Sequence, residues 1–204
     1  MSDWTSRPAR YWPEAPYPGQ RPEGSWRLVG NTVHRIRWSG QSWIDTMSGD
    51  AVNIDGRNFF LAYGSNANPQ KAAREEEYNG AAGAFIDLVV LDAIIMDAKA
   101  VWSSARRSRD DSVVATIAEV QGRQERCPVM ALLPRDRHIV GRWEGNAYLR
   151  TKFWGDCKLA NGSAIVPEVY IGGPNRQPLR DDNDAFLGLH EFTHDYVDRI
   201  VPHR

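Results

Sequence analysis

A continuous apolar run that ends at a glycine constrains the fold of this chain more than any other feature. The segment from Phe59 to Tyr63 is apolar throughout and stops at Gly64, which is typical of a buried strand. Asn68 and Pro69 follow as a helix start, because Asn is a good N-cap and Pro fits the first helical position. The spacing therefore predicts a buried strand, a short loop and a helix that continues to Tyr78.

Short apolar segments between turn residues predict strands through most of the chain. These strands are Trp26–Val29, Val33–Trp38, Phe85–Met96, Val113–Ala118, Cys127–Leu133, Tyr148–Trp154 and Ala164–Ile171. A short helix is predicted near Pro134, and a longer one from about Asp184 to Ile200. Strands outnumber helices, so the predicted fold class is α+β.

The first 24 residues form a proline-rich segment of a different kind. Its five prolines fix their own backbone and restrict the residues before them, so the segment is predicted to be extended. Its four aromatic side chains would bury much area on a surface, but a partly ordered tail is an open alternative. We divide the chain into an N-terminal extension with short strands, residues 1–57, and a core domain, residues 58–204.

Charge and composition exclude several classes of protein. The 25 Lys and Arg residues and the 26 Asp and Glu residues give a net charge of -1, which provides no basic surface for nucleic acid or an anionic membrane. No apolar run reaches the ~20 residues that cross a bilayer, and no apolar leader begins the chain. Cys127 and Cys157 are too few for a disulfide framework. We expect a soluble cytoplasmic protein without nucleic-acid or membrane partners.

The loop from Tyr63 to Asn66 is the first candidate site. A strand ends there and a helix begins shortly after, which leaves backbone N–H groups without partners. Gly64 lets a ligand approach the backbone closely, and Ser65 and Asn66 add side-chain donors. Such a loop suits a carboxylate or an amino-acid backbone. The alternative is an ordinary strand-to-helix turn.

Glu144 is the second candidate. It stands between Trp143 and Gly145, after apolar residues that would pack against a core. A partly desolvated carboxyl group in such a place suits general acid–base chemistry. The alternative is a surface Glu at the end of a helix.

The two candidates together resemble the gamma-glutamyl cyclotransferase family. The run Phe60-Leu61-Ala62-Tyr63-Gly64-Ser65-Asn66 is similar to the signature strand and loop of that family. The stretch from Ala115 through Gly122 to Glu144 resembles the second block, and Glu144 follows Tyr63 by 81 positions. The resemblance covers about residues 58–180, so residues 1–57 are additional to it.

The resemblance implies a small mixed β-barrel with helices packed outside and a pocket at one end. It implies conversion of a γ-glutamyl group to 5-oxoproline with release of an amine or amino acid, as in glutathione metabolism. Glu144 would be the general acid and base, and Gly64, Ser65 and Asn66 would bind the glutamyl group. Tyr63 and Tyr148 would line and orient it. No metal, nucleotide or other cofactor is implied.

Two other functions stay open. His190-Glu191-Phe192-Thr193-His194 matches the HExxH pattern of zinc hydrolases, which places two His on one helix face. Both His fall to one side of the apolar stripe of the predicted helix, and few residues follow to provide a third ligand. A small-molecule binding module that keeps the fold but has lost or changed turnover is the other alternative. The leaving group, and the choice between monomer and homodimer, are also open.

Overall fold

The strands that the structure describes pair into two sheets. A computed structural model describes residues 4–74, 85, 87–108 and 110–203. The strands within these residues are β1 (Ser6–Pro8), β2 (Trp26–Val29), β3 (Thr32–Trp38), β4 (Trp43–Asp45), β5 (Ala51–Val52), β6 (Asn58–Leu61), β7 (Leu88–Leu91), β8 (Ala93–Arg106), β9 (Val113–Arg126), β10 (Val129–Leu132), β11 (Tyr148–Lys152), β12 (Cys157–Leu159), β13 (Ala164–Ile165) and β14 (Glu168–Gly172).

The helices are few and short. Those in the described residues are α1 (Pro69–Ala72), α2 (Arg137–Glu144) and α3 (His194–Ile200), with 3-10 turns at Ala9–Tyr11, Ser65–Ala67, Pro134–Asp136 and Gly145–Ala147. Among the described residues, no helix combines the length and the apolar character that a membrane span requires.

The larger sheet has the strand order β11-β14-β6-β10-β7-β2-β3-β4-β5, and β1 pairs with β3 at its side. The smaller sheet has the order β13-β12-β8-β9. The pairing of β14 with β6 is parallel and its neighbours in the larger sheet pair antiparallel, so this sheet is mixed. The predicted α+β class is confirmed, with the strand pairings arranged as two sheets.

Strand β7 shows why its segment of the sequence is uniformly apolar. Successive side chains of a strand point to opposite faces. Val89 and Leu91 pack into the apolar cluster that contains β8 and β9. Leu88 and Val90 pack into a second cluster, which contains α2 and the N-terminal arm. Both faces of the strand are therefore covered, and all four side chains are fully buried.

The prediction of one element over Phe85–Met96 is wrong. The chain leaves the larger sheet after Leu91 and enters the smaller sheet at Ala93. Asp92 lies at this crossing, where its backbone N–H donates to Ser25 Oγ over 2.9 Å and its carboxylate accepts from Arg126 Nε over 2.5 Å. These polar partners hold the corner between two apolar strands.

The predicted helix over Asp184–Ile200 is also wrong, because α3 begins only at His194, with Thr193 as its N-cap. The preceding segment pairs with the edge of β8. Trp102 N donates to Leu187 O over 3.0 Å, and Leu189 N donates to Ala100 O over 2.9 Å. Backbone groups bound to a strand edge cannot also form helical hydrogen bonds, so tertiary pairing overrides the helical pattern here.

The N-terminal arm, residues 4–24, packs against the rest of the chain, as one of the two alternatives predicted, and it includes a 3-10 turn at Ala9–Tyr11. Its strand β1 pairs with β3 in antiparallel register. Trp4 and Trp12 are buried and meet edge to face at 5.3 Å. Strand β2 in turn pairs with β7 of the core, so the extension and the core share one sheet. The domain boundary at residue 57 stays a prediction.

Asn68 joins this arm to helix α1. Its Oδ1 accepts from Lys71 N over 2.8 Å, which confirms the predicted N-cap. Its Nδ2 donates to three arm carbonyls, with distances of 3.0 Å to Trp12, 3.1 Å to Pro13 and 2.7 Å to Gln20. Helix α1 ends at Ala72, and the predicted continuation over 75–78 lies outside the described residues.

Replacement of Asn68 with Ala tests this junction. The loss of the N-cap, together with the loss of a buried donor to the arm, should lower the free energy of unfolding by roughly 2–3 kcal/mol. Urea denaturation measures the change. The matched control is Asn53→Ala, because Asn53 caps only an exposed turn, through Asp55 N at 2.8 Å. Equal losses in the two variants would contradict a clamping role for Asn68.

Candidate active site

One cavity brings together all six residues that the sequence singles out. Its volume is about 240 Å³. Glu144, Tyr148 and the loop from Tyr63 to Asn66 all line it. Further lining residues are Tyr17, Lys71, Arg107, Ala115, Trp143, Tyr170 and Arg176.

Hydrogen bonds hold the loop from Tyr63 to Asn66 at both of its ends. It follows β6 and enters the 3-10 turn Ser65–Ala67, whose first carbonyl accepts from Asn68 N over 3.0 Å. The Tyr63 hydroxyl donates to the carbonyl of Tyr170 on β14 over 2.5 Å. Burial raises the pKa of Tyr63 well above its usual value, so this phenol stays a neutral donor. Its proton serves to pin the loop to β14.

Glu144 lies at the C-terminal end of α2. Trp143 and two other apolar residues of this helix are buried in the core, and Glu144 itself is half-buried. Gly145 ends the helix with a φ of 54°, a left-handed conformation that glycine adopts without steric cost. Glu144 is therefore neither fully buried nor fully exposed at the end of this helix.

A chain of hydrogen bonds connects Glu144 to the loop. Asn66 Nδ2 donates to Glu144 Oε1 over 2.5 Å, although the two residues are 78 positions apart. Lys71 Nζ donates to Asn66 Oδ1 over 2.6 Å and to Ser65 Oγ over 3.2 Å. An ammonium group only donates, so it holds the amide oxygen of Asn66 and directs the amide N–H groups toward the carboxylate.

Lys71 is the main member of this network that sequence reasoning missed. It is buried, and its Nζ lies 4.4 Å from the ring centroid of Trp143, within the range of a cation–π contact. A buried lysine is costly unless it is paired. The only indication of Lys71 in the sequence was its position in the first turn of α1, directly after the Asn68 cap.

Tyr148 connects the cavity to β9. Its hydroxyl donates to the carbonyl of Ala115 over 2.8 Å and accepts from Arg176 Nη1 over 3.2 Å. Burial raises the pKa of Tyr148 above its usual value, so the group is neutral. The hydroxyl is thus committed to protein partners, and the ring forms part of the wall.

Tyr17 enters the cavity from the N-terminal arm. Its hydroxyl accepts from the backbone N–H of Ala115 over 2.9 Å, across 98 positions of sequence. A side-chain carbon on Gly64 would stand 2.6 Å from this oxygen, so glycine is needed there for close approach. The sequence signalled only that the arm is rich in aromatic residues.

The side chains that line the cavity suit a small ligand that carries negative charge. Lys71, Arg107 and Arg176 contribute three cations, and Glu144 contributes one carboxylate. Arg107 also forms an ion pair with Asp110, in which its Nε donates to Oδ1 over 2.9 Å and its Nη2 donates to Oδ2 over 2.5 Å. A carboxylate beside amide, ammonium and backbone donors can exchange a proton with a bound amine while those donors hold anionic oxygens.

The HExxH residues are arranged differently from the helical pair expected for zinc. His190 precedes α3, and its Nε2 lies 3.2 Å from Arg21 Nη2. His194 packs its ring 5.7 Å from Trp102 and 6.4 Å from Tyr17. Within the described part of the chain, no three His, Cys, Asp or Glu side chains are grouped so that they could hold a metal ion.

Comparisons with known proteins give similar solved structures only. No family model matches the sequence, and no curated protein matches it either. A gamma-glutamyl cyclotransferase is 18% identical, with 60% of this chain and 71% of that chain covered and a TM-score of 0.45. An uncharacterized protein from Homo sapiens is 15% identical, with coverage of 62% and 73% and a TM-score of 0.46.

A third similar structure is described as a gamma-glutamyl cyclotransferase from yeast that is specific to glutathione. It is 14% identical to this chain, with coverage of 65% and 75% and a TM-score of 0.38.

Proposed function

We propose that this chain is a cyclotransferase that acts on γ-glutamyl amides or peptides. The α-amine of the glutamyl group attacks its own γ-carbonyl carbon and forms the new C–N bond of 5-oxoproline. The original amide C–N bond breaks, and the leaving nitrogen departs with a proton as a free amine or amino acid. The observation that carries the proposal is the hydrogen bond between Asn66 and Glu144, which joins both sequence motifs in one cavity.

Glu144 provides the proton transfers that this reaction needs. An α-ammonium group is not a nucleophile until it loses a proton, and a carboxylate in reach can accept that proton. The same carboxyl group then donates this proton to the leaving nitrogen as the amide C–N bond breaks. The restored carboxylate takes a second proton from the attacking nitrogen as the ring amide forms, and the released amine carries that proton away as its ammonium form, so the enzyme returns to its starting state. Asn66 holds Glu144 in place through the 2.5 Å hydrogen bond.

The loop and its lysine stabilise negative charge. The γ-carbonyl oxygen gains charge as the amine attacks, and the glutamyl α-carboxylate is charged throughout. Gly64, Ser65 and Asn66 offer donors at one wall of the cavity, and Lys71 places a cation behind them. Because nucleophile and electrophile belong to one molecule, holding the substrate in a near-attack conformation supplies much of the remaining rate.

Release of 5-oxoproline from a panel of γ-glutamyl compounds tests the proposal. The panel contains γ-glutamyl amino acids, glutathione and γ-glutamyl amines, and mass spectrometry quantifies the product. We expect turnover of at least one class in the absence of added metal and nucleotide. Binding of the panel without release would favour the binding module instead. Absence of both release and binding would overturn the proposed function.

A further inference from the structure

We infer that the N-terminal arm completes the substrate site, with the Tyr17 hydroxyl donating a hydrogen bond to the substrate oxygen that the Tyr63–Asn66 loop binds. This inference rests on the proposed function and assigns a substrate contact to a residue outside the core segment that carries the motifs.

The hydroxyl of Tyr17 stands directly against the loop backbone. A Cβ atom added to Gly64 would lie only 2.6 Å from the Tyr17 hydroxyl oxygen. The same Cβ position is 3.8 Å from the ring carbon that bears this oxygen. Ala115 N holds the oxygen from the other side at 2.9 Å. The backbone of Ser65 also forms a hydrogen bond with this oxygen. A substrate oxygen bound beside the loop is therefore within reach of this hydroxyl.

Within the described residues the Tyr17 hydroxyl proton has no acceptor, so it is available to a ligand. The hydroxyl oxygen accepts the N–H of Ala115, while the carbonyl of Ala115 is taken by the hydroxyl of Tyr148. Burial raises the pKa of Tyr17 to about 12, so the phenol keeps its proton at neutral pH. A neutral hydroxyl that already accepts hydrogen bonds donates to an anionic oxygen, and such charge-assisted bonds are the stronger kind.

The arm holds Tyr17 in place before any substrate arrives. Asn68 binds the carbonyls that flank Tyr17 in sequence, those of Pro13 and Gln20, at 3.1 and 2.7 Å. Glu14 forms an ion pair with Arg74 at 2.5 Å. The Tyr17 ring packs 5.8 Å from Trp102. Because the side chain is already ordered, its contact with substrate requires little further loss of entropy.

The first test is Tyr17→Phe, which removes the hydroxyl and keeps the ring. We expect the dissociation constant for 5-oxoproline, measured by calorimetry, to rise about 10- to 100-fold, and kcat/KM to fall by a similar factor. Thermal unfolding should stay within a few degrees of the natural protein. The matched control is Tyr11→Phe, since Tyr11 lies in the same arm but is 54% exposed.

The outcomes separate the two proposals. A natural protein that neither releases nor binds 5-oxoproline would overturn the proposed function, and the inference about Tyr17 with it. An active natural protein whose Tyr17→Phe variant keeps its affinity and kcat/KM would overturn the inference alone. If Tyr17→Phe and Tyr11→Phe lost activity equally, the effect would belong to the arm as a whole and the hydroxyl contact would be rejected.

A second test needs no activity. Gly64→Ala should clash with the Tyr17 hydroxyl and lower the melting temperature, with faster proteolysis of the arm. In the double variant Tyr17→Phe/Gly64→Ala the nearest ring atom lies at ordinary contact distance, 3.8 Å, so much of the lost stability should return. Equal instability of the single Gly64→Ala variant and the double variant would contradict the placement of the hydroxyl.

Discussion

Replacing Glu144 with Gln should lower kcat/KM for 5-oxoproline release by about 10²- to 10⁴-fold, the range that general acid–base groups contribute. Glutamine has nearly the same shape, and its carbonyl oxygen can still accept from Asn66, which lies 2.5 Å from the carboxylate. The variant should therefore fold and bind substrate. What it lacks is a group that accepts the proton of the α-ammonium and returns it to the leaving nitrogen.

The matched control is Glu119→Gln, which makes the same chemical change at an exposed position on β9. Circular dichroism and thermal unfolding should show that both variants keep the native fold. If Glu144→Gln released 5-oxoproline at the natural rate, Glu144 would not be the essential base, although the proposed reaction would stand. A loss in Glu119→Gln of similar size would point to a general effect of removing an acid.

Replacing Arg106 with Met should lower the free energy of unfolding by about 2–3 kcal/mol, because the buried carbonyls at the end of α3 lose their charged hydrogen-bond donor. The Arg106 side chain is 1% exposed. Its Nη1 donates to Asp198 Oδ1 over 2.6 Å, and its Nη2 donates to the carbonyl of Val201 over 2.7 Å. It thus connects β8 to the end of α3, whose last carbonyls have no helical partners of their own.

The same substitution should change the pH dependence of stability. The hydrogen bond from Arg106 is the main cause that lowers the pKa of Asp198 below its usual value. A depressed carboxyl pKa stabilises the fold above the unfolded pKa, near 4, and this contribution is lost as the pH falls through the folded value. As the pH falls from about 5 to about 2, the free energy of unfolding should therefore decrease less in the Arg106→Met variant than in the natural protein.

Urea denaturation at several pH values measures both effects. The matched control is Arg123→Met, because Arg123 is 45% exposed and pairs with Glu191 at 3.3 Å. Exposed ion pairs of this kind contribute about 0–1 kcal/mol. A loss in Arg106→Met as small as that in Arg123→Met would show that the buried guanidinium is not the anchor of α3.

Local chemistry accounts for the parts of the fold that the sequence predicted well. The Asn68 cap needs only a side-chain oxygen and the next helical N–H groups, so it is predictable from neighbours in sequence. The buried strand β6 is also predictable from neighbouring residues, because burial of consecutive side chains leaves a continuous apolar pattern. The α+β class follows from counting such elements.

Predictions failed where distant pairing decides the backbone. The pattern over Asp184–Ile200 suits a helix, but the edge of β8 binds Leu187 and Leu189 and leaves only His194–Ile200 helical. Phe85–Met96 is apolar enough for one element, yet the two sheets divide it at Asp92. In both cases the competing interaction comes from residues that are remote in sequence.

The sequence by itself determined the α+β class. It also identified two candidates for one site, the loop from Tyr63 to Asn66 and Glu144. Each of these predictions depends on short patterns or on a family resemblance. Only the tertiary structure decided that Tyr17 and Lys71 belong to the same cavity. Tyr17 reaches Ala115 across 98 positions, and Lys71 is aligned by its contacts with Asn66 and Trp143. Contacts of this kind form when the core brings separate elements together, and no local pattern encodes them.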